Sequence, residues 1–287
     1  RTRTGIRERR ISSGEGTRHL AAKAAERALA AAGVAPEELD IIILGTSSPD
    51  RNYPSDACSV QAAIGAVNAV AFDISAACAG FIFAMNIVEG FFKAGIYKTA
   101  LIIGAETLSK VTDWSDRGTC VLFGDGAGAA VLKAEETGII DMMMGADGTK
   151  GDVLACTSRT VGNFLTGTKP ELGFMTMDGQ EVFKFAVRKV PESVMELLQR
   201  TGTKKEDIKY YVLHQANERI IEAAARRLKE PMEKFPMTIS QFGNTSTASI
   251  PLLLDDMIRK DMLKRGDKII MSGFGAGMTW GAVLMEW

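Results

Sequence analysis

Cys78 is the residue of this sequence best placed to act as a nucleophile. It follows an apolar strand pattern, Val70–Ile74, and a turn of small residues, and it opens a predicted apolar helix. The N-terminus of a helix favours the thiolate, and the neighbouring Ala and Gly residues leave room for a substrate. Most lone cysteines are small buried hydrophobes, and we interpret Cys58, Cys120 and Cys156 in that way. For Cys78 the position favours a nucleophile.

Two other polar side chains stand at predicted element ends. His214 ends the strand 210–213 in the run His-Gln-Ala-Asn, where α/β sheets present ligand-binding residues. A structural histidine that caps the strand is the alternative. The second histidine, His19, lies on a polar helix and is expected to be solvated. Asn244 lies in a turn of small polar residues before a helix, which taken alone is only a helix-capping signal.

The elements that must position these residues repeat a strand–helix plan. Predicted helices are 16–32, 55–64, 79–94, 180–200, 218–228 and 249–263, and predicted strands are 40–45, 69–73, 99–104, 210–213, 237–239 and 268–271. Strands that alternate with helices predict parallel βαβ units.

An internal duplication relates the two ends of the chain. Aligning Leu44 with Leu213 places the turn at 76–78 near the turn at 244–246, and both halves end in Gly-rich segments, 123–128 and 273–277. The segment 78–94 is apolar nearly all round, which is typical of a helix between two sheets. We therefore expect a layered α-β-α-β-α architecture.

The halves are predicted at 1–135 and 177–287, with a connecting region at 136–176. The pseudo-twofold axis would bring the thiol, the imidazole and the amide to one site. The chain starts without Met and without a strand before its first helix, so the start of the first half is expected to be missing.

Composition narrows the function classes. The 287 residues include 34 Lys and Arg against 35 Asp and Glu, which argues against a broad nucleic-acid-binding surface. Apolar runs are too short to span a bilayer, and the Arg-rich start, which lacks an apolar stretch, leads us to expect no secretory signal. The four cysteines show no spacing of zinc or redox motifs, so a reducing cytoplasm is expected.

Four segments, 76–81, 214–217, 243–246 and 273–281, closely resemble β-ketoacyl-acyl-carrier-protein synthase III of the thiolase-like superfamily. The resemblance runs in order over essentially the whole chain and includes 3–7 and 123–128. It implies an α/β thiolase-like duplicated fold of five layers with mixed sheets and a catalytic trio of Cys78, His214 and Asn244.

The same resemblance implies a reaction. A short acyl-CoA, such as acetyl-CoA, would condense with malonyl-acyl carrier protein (ACP) to give 3-oxoacyl-ACP, coenzyme A (CoA) and carbon dioxide, the first step of fatty acid biosynthesis. No cofactor and no metal are implied.

Further site residues follow from the resemblance alone. The oxyanion hole would be formed by the backbone N–H groups of Cys78 and Ala276, the latter being Gly in many family members. The acyl pocket would include Phe274 and Tyr53, and Tyr53 would reach a neighbouring subunit, which implies a homodimer. CoA and its pantetheine arm would contact Arg3, Arg117, Gly179, Phe183, Ala216, Asn217 and Ile220. An aromatic residue that holds the adenine would lie ahead of Arg1.

A basic patch on the helix after His214 is a candidate docking site for acidic ACP. It comprises Arg219, Arg226 and Arg227, with Lys184 in addition. A solvated helix face is the usual explanation of such charges, but next to a pantetheine tunnel they would also steer an acidic carrier protein.

Three alternatives remain. A thiolase would need a second catalytic cysteine near the C-terminal Gly-rich segment, where this sequence has none. A related condensing enzyme of secondary metabolism would use longer or aromatic acyl groups. A non-catalytic paralogue would keep the fold and lose the trio, all of which is present.

Overall fold

A computed structural model describes residues 3–287. Its α-helices are α1 Thr17–Ala32, α2 Asp56–Ile64, α3 Gly80–Lys93, α4 Gly179–Thr201, α5 Glu218–Leu228, α6 Ile239–Phe242 and α7 Ser249–Arg259. Its strands are β1 Ile41–Gly45, β2 Val70–Ile74, β3 Thr99–Glu106, β4 Gly126–Lys133, β5 Ile139–Ala146, β6 Leu154–Cys156, β7 Met175–Met177, β8 Ile208–Leu213, β9 Lys268–Gly275 and β10 Thr279–Glu286.

Two four-stranded mixed sheets form the scaffold. The first has the order β2-β1-β3-β4, in which β1 is parallel to β2 and β3 and β4 is antiparallel to β3. The second has the order β5-β10-β9-β8, with β8 parallel to β9 and β10 antiparallel to both β9 and β5. Every residue of β1 is buried, as expected for a parallel strand covered on both faces.

Helices α3 and α7 lie between the two sheets. Helix α3 packs on β1 and β3 from one side and on β5, β9 and β10 from the other. Helices α1 and α2 cover the outer face of the first sheet, and α4, with α5 beside it, covers the second. The expected five-layer α/β architecture is confirmed, and the apolar character of α3 has the predicted cause.

The predicted strand at 237–239 is wrong. Helix α6 begins at Ile239 instead, because the backbone N–H groups of Thr238 and Ile239 donate to the side-chain oxygen of Gln215, at 2.9 and 3.2 Å. A side chain thus takes the place of a neighbouring strand as acceptor. The connecting region 136–176 also contains β5, an edge strand of the second sheet that was not predicted.

The duplication extends to backbone detail at the turns before α3 and α7. Each turn contains one non-glycine residue in the left-handed region, Ala77 with φ 46° and Ser246 with φ 50°. This correspondence has the same offset as Leu44 with Leu213, so that Cys78 matches Thr247. Such conformations cost of order 1–3 kcal/mol and persist where the surrounding structure enforces them.

Glycines at the ends of β1 and β3 make room for the second turn. Gly45 and Gly104 are paired in the sheet, and a Cβ at Gly45 would lie 2.8 Å from the Thr247 methyl carbon. A Cβ at Gly104 would collide with the Thr247 carbonyl oxygen. The second turn therefore approaches the first sheet at positions that only glycine allows.

None of the helices within residues 3–287 has the length and hydrophobicity needed to cross a membrane.

Candidate active site

Cys78 lies in a short 3₁₀ turn, Ala77–Ala79, that leads directly into α3, and only 6% of its surface is exposed. Burial raises the pKa of the Cys78 thiol to about 12; the Ser246 hydroxyl opposes this shift and the negative charge of Glu106 adds to it. Withdrawal of a thiolate from water favours the neutral thiol, whereas the N-terminus of α3 favours the thiolate.

His214 follows β8 and is buried. Its Nδ1 lies 2.6 Å from the Ser249 hydroxyl oxygen, which also accepts a hydrogen bond from the Gln215 backbone N–H at 3.3 Å. Since Nδ1 is the one acceptor within residues 3–287 for the Ser249 proton, we infer that Ser249 donates to Nδ1 and that the imidazole carries its own proton on Nε2. Burial lowers the pKa of His214 to about 3, so the ring is neutral at physiological pH.

Asn244 is held by its backbone and by its side chain. Its N–H donates to the Leu122 carbonyl at 3.0 Å, and its own carbonyl accepts from the Gly124 N–H at 2.9 Å. The side-chain Oδ1 accepts from the Ser246 backbone N–H at 2.8 Å. This fixes the amide orientation and leaves the NH₂ group as a donor for a ligand.

Direct contacts connect the Cys78 turn with the Asn244 turn. The Thr247 hydroxyl donates to the Ala77 carbonyl at 2.7 Å, directly beside Cys78 in the chain. The thiol and the amide are thereby brought to one place at the facing ends of α3 and α7.

Strand β9 connects His214 with the same place. The His214 N–H donates to the Ser272 carbonyl at 2.8 Å, and the His214 ring packs edge-on against Phe274 with 5.4 Å between centroids. The next residue, Gly275, approaches the nucleophile so closely that a Cβ there would lie 2.5 Å from the Cys78 nitrogen.

The close approach of Gly275 to the Cys78 nitrogen also bears on the predicted oxyanion hole. Ala276 follows β9 directly, and its backbone N–H has no backbone or side-chain acceptor within the described range 3–287. Only an amide is required at this position, so Ala serves as well as Gly. The assignment of the Cys78 and Ala276 N–H groups as oxyanion donors stays a prediction.

Five of the predicted CoA contacts lie at or near the N-termini of α4 and α5. The two helices pack against each other. Gly179 begins α4 and is exposed, and Phe183 lies one turn further along it. Asn217 caps α5 by accepting from the Arg219 N–H at 2.9 Å. Ala216 precedes it, and Ile220 is buried in the first turn of α5.

The two predicted nucleotide contacts, Arg3 and Arg117, are exposed. Arg3 adjoins Thr4, whose carbonyl accepts from the Glu218 N–H at 3.1 Å, so this segment lies at the start of α5. Arg117 lies in the loop that continues into residues 122–124, which hold Asn244. The aromatic residue expected ahead of Arg1 lies outside the described residues.

Tyr53 is not brought to Cys78 within one chain. Its surface is 85% exposed, whereas the other predicted pocket residue, Phe274, is 3% exposed and contacts His214. A role of Tyr53 in a neighbouring subunit's pocket stays a prediction.

The four cations of the predicted ACP patch differ in their pairing. Lys184 pairs with Glu181 at 2.8 Å, Arg226 with Glu222 at 3.7 Å and Arg227 with Glu192 at 3.7 Å. Arg219 is exposed and makes no ion pair with any carboxylate in the range 3–287.

Sequence reasoning missed two site residues. Ser249, the partner of His214, was concealed in a run of small polar residues that suggested only a helix start. Glu106 ends β3 as a single charge after an apolar strand, which is the signal that singled out His214. Within residues 3–287, no group of three or more His, Cys, Asp and Glu side chains could hold a metal ion.

The fold and the site together define a condensing enzyme of the thiolase-like type, with two pseudo-equivalent halves and a buried cysteine at their contact. Family models described as 3-oxoacyl-[acyl-carrier-protein] synthase III and its C-terminal part match residues 72–148 and 198–287. The chain belongs to the 3-oxoacyl-[acyl-carrier-protein] synthase III family.

Close relatives cover the chain completely. The β-ketoacyl-[acyl-carrier-protein] synthase III of Clostridium acetobutylicum is 52% identical over the whole chain and 89% of its own length. The crystal structure of the 3-oxoacyl-[acyl-carrier-protein] synthase III of Aquifex aeolicus is similar with a TM-score of 0.92 and 46% identity, over 100% of this chain and 89% of that one. The Thermus thermophilus structure has a TM-score of 0.92 and 42% identity, over the same two fractions.

Proposed function

We propose that this protein is a β-ketoacyl-ACP synthase III that starts fatty acid biosynthesis by joining a short acyl group, carried as a thioester on Cys78, to malonyl-ACP. The observation that carries the proposal is the pair of oriented neutral donors, His214 and Asn244, beside a buried thiol. This is the donor set that decarboxylation of a malonyl thioester needs, because the reaction leaves an enolate oxygen that must be stabilised in a dry site.

In the first half-reaction, the Cys78 thiolate attacks the carbonyl carbon of an acyl-CoA. The tetrahedral intermediate carries a negative oxygen, for which the N–H groups of Cys78 and Ala276 are the proposed donors. Collapse of the intermediate expels the CoA thiolate and leaves the acyl group on the sulfur. Gly275 is important here because a side chain at that position would cover the Cys78 N–H.

In the second half-reaction, malonyl-ACP loses carbon dioxide. The enolate oxygen accepts hydrogen bonds from His214 Nε2–H and from the Asn244 amide, and neither side chain changes its charge. The carbanion carbon then attacks the acyl carbonyl on Cys78 and displaces the cysteine sulfur. The product is 3-oxoacyl-ACP.

The partners follow from this reaction. Acyl-CoA and ACP would both deliver a pantetheine arm past the N-termini of α4 and α5, and Arg219 is the patch residue whose charge is uncompensated. The exposure of Tyr53 supports a homodimer in which this ring completes the partner's acyl pocket. A cytoplasmic location fits a reaction between CoA and ACP thioesters.

Intact-mass spectrometry after exposure to a panel of acyl-CoAs tests the proposal. A short acyl group should add to the wild-type protein and to Cys156→Ala, whose thiol is the exposed one, but not to Cys78→Ala. Subsequent malonyl-ACP should remove the added mass. Acylation that survives Cys78→Ala would refute the assignment, and acylation by long or aromatic groups alone would indicate a condensing enzyme of secondary metabolism.

A further inference from the structure

A short segment before α1 lies against both halves of the chain. The backbone N–H groups of residues 7–8 donate to the Ser240 carbonyl in α6, at 3.1 and 3.0 Å. The Arg10 carbonyl accepts from the Asp125 N–H at 2.7 Å. Arg9 therefore lies between two points at which the backbone is fixed, and these contacts constrain the position from which its side chain starts.

The guanidinium of Arg9 is half-buried and has backbone carbonyls as its acceptors. One nitrogen, Nη1, donates to the Cys120 carbonyl and to the Phe123 carbonyl, the latter at 3.2 Å. A terminal guanidinium nitrogen carries two protons, so it can bridge two carbonyls in this way. The bridge joins the two ends of the loop 120–123 and fixes its shape.

One peptide group, between Phe123 and Gly124, connects the guanidinium with Asn244. Its carbonyl accepts from Arg9, and its N–H donates to the Asn244 carbonyl at 2.9 Å. The preceding carbonyl, that of Leu122, accepts the Asn244 N–H at 3.0 Å. Both backbone hydrogen bonds of Asn244 thus go to the loop that Arg9 holds. A cation bonded to the carbonyl also polarises the peptide group and strengthens the bond that its N–H donates.

The aliphatic part of Arg9 covers the residue before the amide. Gly243 has φ 65°, and a Cβ there would lie 2.8 Å from Arg9 Cγ and 3.2 Å from Arg9 Cδ. A Cβ at Gly124 would lie 3.4 Å from Arg9 Cβ. The side chain therefore packs against both segments of the isolated β-bridge that pairs Phe123 with Asn244.

The other groups of the site are held by different elements. Cys78 lies in the turn before α3, and Ala276 follows the end of β9. The His214 ring is held by Ser249. Loss of the guanidinium should therefore affect the amide donor before it affects the thiol or the imidazole.

We propose that Arg9 is a positioning residue for Asn244, because its guanidinium and stem hold the backbone from which the carboxamide reaches the enolate oxygen. This inference rests on the proposed function, since the enolate forms when malonyl-ACP loses carbon dioxide. Arg9 acts through the geometry of one hydrogen-bond donor. Misplacement of such a group by about 1 Å can cost about 10²-fold in rate.

Arg9→Met tests the inference, because Met keeps the stem that covers Gly243 and removes the guanidinium. The readouts are carbon dioxide release from saturating malonyl-ACP and mass added to Cys78 by saturating acetyl-CoA. Carbon dioxide release should fall about 10-fold, less than the cost of about 10²–10³-fold for deleting an oxyanion donor, and acylation should stay nearly unchanged. Saturation removes any effect of the loop 120–123 on CoA affinity.

The ratio of the two rates does not depend on how much of the protein is folded, since both activities come from folded molecules. Arg10→Met removes an adjacent exposed arginine that pairs with Glu8, and it should keep the wild-type ratio. Arg9→Lys keeps a cation and should lower the ratio less, by about 3-fold, because an ammonium group lacks the reach and planar geometry of the guanidinium. If Arg9→Met fails to fold, a wild-type ratio in Arg9→Lys would overturn the inference.

A double-mutant cycle decides whether Arg9 acts through Asn244. Arg9→Met combined with Asn244→Ala should release carbon dioxide no more slowly than Asn244→Ala alone, because the group to be positioned is gone. A further loss in the double variant would overturn the inference, and so would an unchanged ratio or an equal loss of both half-reactions in Arg9→Met. Absence of carbon dioxide release by the wild-type protein would instead contradict the proposed function itself.

Discussion

Replacement of Ser249 by Ala isolates the control of the His214 tautomer. The substitution removes the hydroxyl that lies 2.6 Å from Nδ1, and it leaves the Gln215 N–H without its acceptor. No atom of the proposed substrate site is removed. The expected consequence is that the ring no longer prefers the form with a proton on Nε2.

The size of the effect follows from the hydrogen bond that is lost. A neutral hydrogen bond contributes about 0.5–1.5 kcal/mol net, so its loss allows the two tautomers to reach comparable populations. Together with a less constrained ring, this should slow malonyl decarboxylation about 3- to 10-fold, well short of the 10²–10³-fold cost of deleting an oxyanion donor. The two buried groups left unpaired should lower the free energy of unfolding by about 1–3 kcal/mol.

Nitrogen-15 NMR of the imidazole reads the tautomer directly. The chain has two histidines, and the other one, His19, is exposed, so the signals are easily separated. Decarboxylation is measured as carbon dioxide release and acyl transfer as mass added to Cys78. Ser193→Ala is the matched control, because it removes a buried hydroxyl bonded to the Lys189 carbonyl in the C-terminal half of α4.

The reasoning is refuted by either of two results. One is a wild-type His214 that carries its proton on Nδ1. The other is a Ser249→Ala protein that loses acyl transfer and decarboxylation equally, which would indicate general disruption of the site.

Three further predictions concern the amide, the basic patch and the pH dependence of stability. Asn244→Ala should slow malonyl decarboxylation about 10²–10³-fold, measured by carbon dioxide release, and leave acylation of Cys78 nearly unchanged. Arg219→Glu should raise the KM for malonyl-ACP, most strongly at low salt, and hardly affect acetyl-CoA. The folded state holds His214 neutral, with its pKa lowered to about 3. Above the unfolded-state pKa of about 6.5 the ring is neutral in both states, and stability does not depend on it. As the pH falls to 5.5 the unfolded state alone takes up a proton, which lowers the free energy of unfolding by about 1.4 kcal/mol.

Each of these has its own control. For Asn244→Ala, equal loss of both half-reactions would contradict the assigned role. Arg259→Glu reverses an exposed charge on α7 outside the patch and should leave the KM unchanged. Denaturant unfolding at pH 7.5 and 5.5 measures the third effect, which His214→Asn should lack; an equal loss in both proteins would assign it to other groups.

The sequence predicts the scaffold well because its main signals are periodic and local. Helix α5 has the predicted bounds, and α3 is apolar on all sides because it lies between two sheets. The predicted strand at 237–239 is wrong for a reason that no local pattern contains, since the acceptor for its N–H groups is the side chain of Gln215. Strand β10 was missed because Gly281 interrupts its apolar run, although it is the central partner of β5 and β9.

At the candidate site, too, local features could be predicted from the sequence and long-range ones could not. Cys78, His214 and Asn244 stand at element ends, where residue type and position are visible in the sequence. Their protonation states depend on burial and on partners distant in sequence, such as Ser249 for His214 and Glu106 for Cys78. The sequence therefore predicts the groups but not the rise in the thiol pKa, because the desolvation of Cys78 arises only when the two halves pack together.

The duplication explains how one scaffold treats its two turns differently. In the alignment of the halves, Gly104 corresponds to Gly273 and Glu106 to Gly275. Gly104 and Gly273 face equivalent turn residues, but a Cβ at Gly104 would lie 2.4 Å from the Thr247 carbonyl oxygen, whereas one at Gly273 would lie 3.4 Å from that of Cys78. Two residues further on the halves diverge. Glu106 fills the space beside Thr247 with a carboxylate, whereas Gly275 leaves the Cys78 N–H uncovered. A site that must admit an acyl group and stabilise its oxyanion needs open space at one of the two turns.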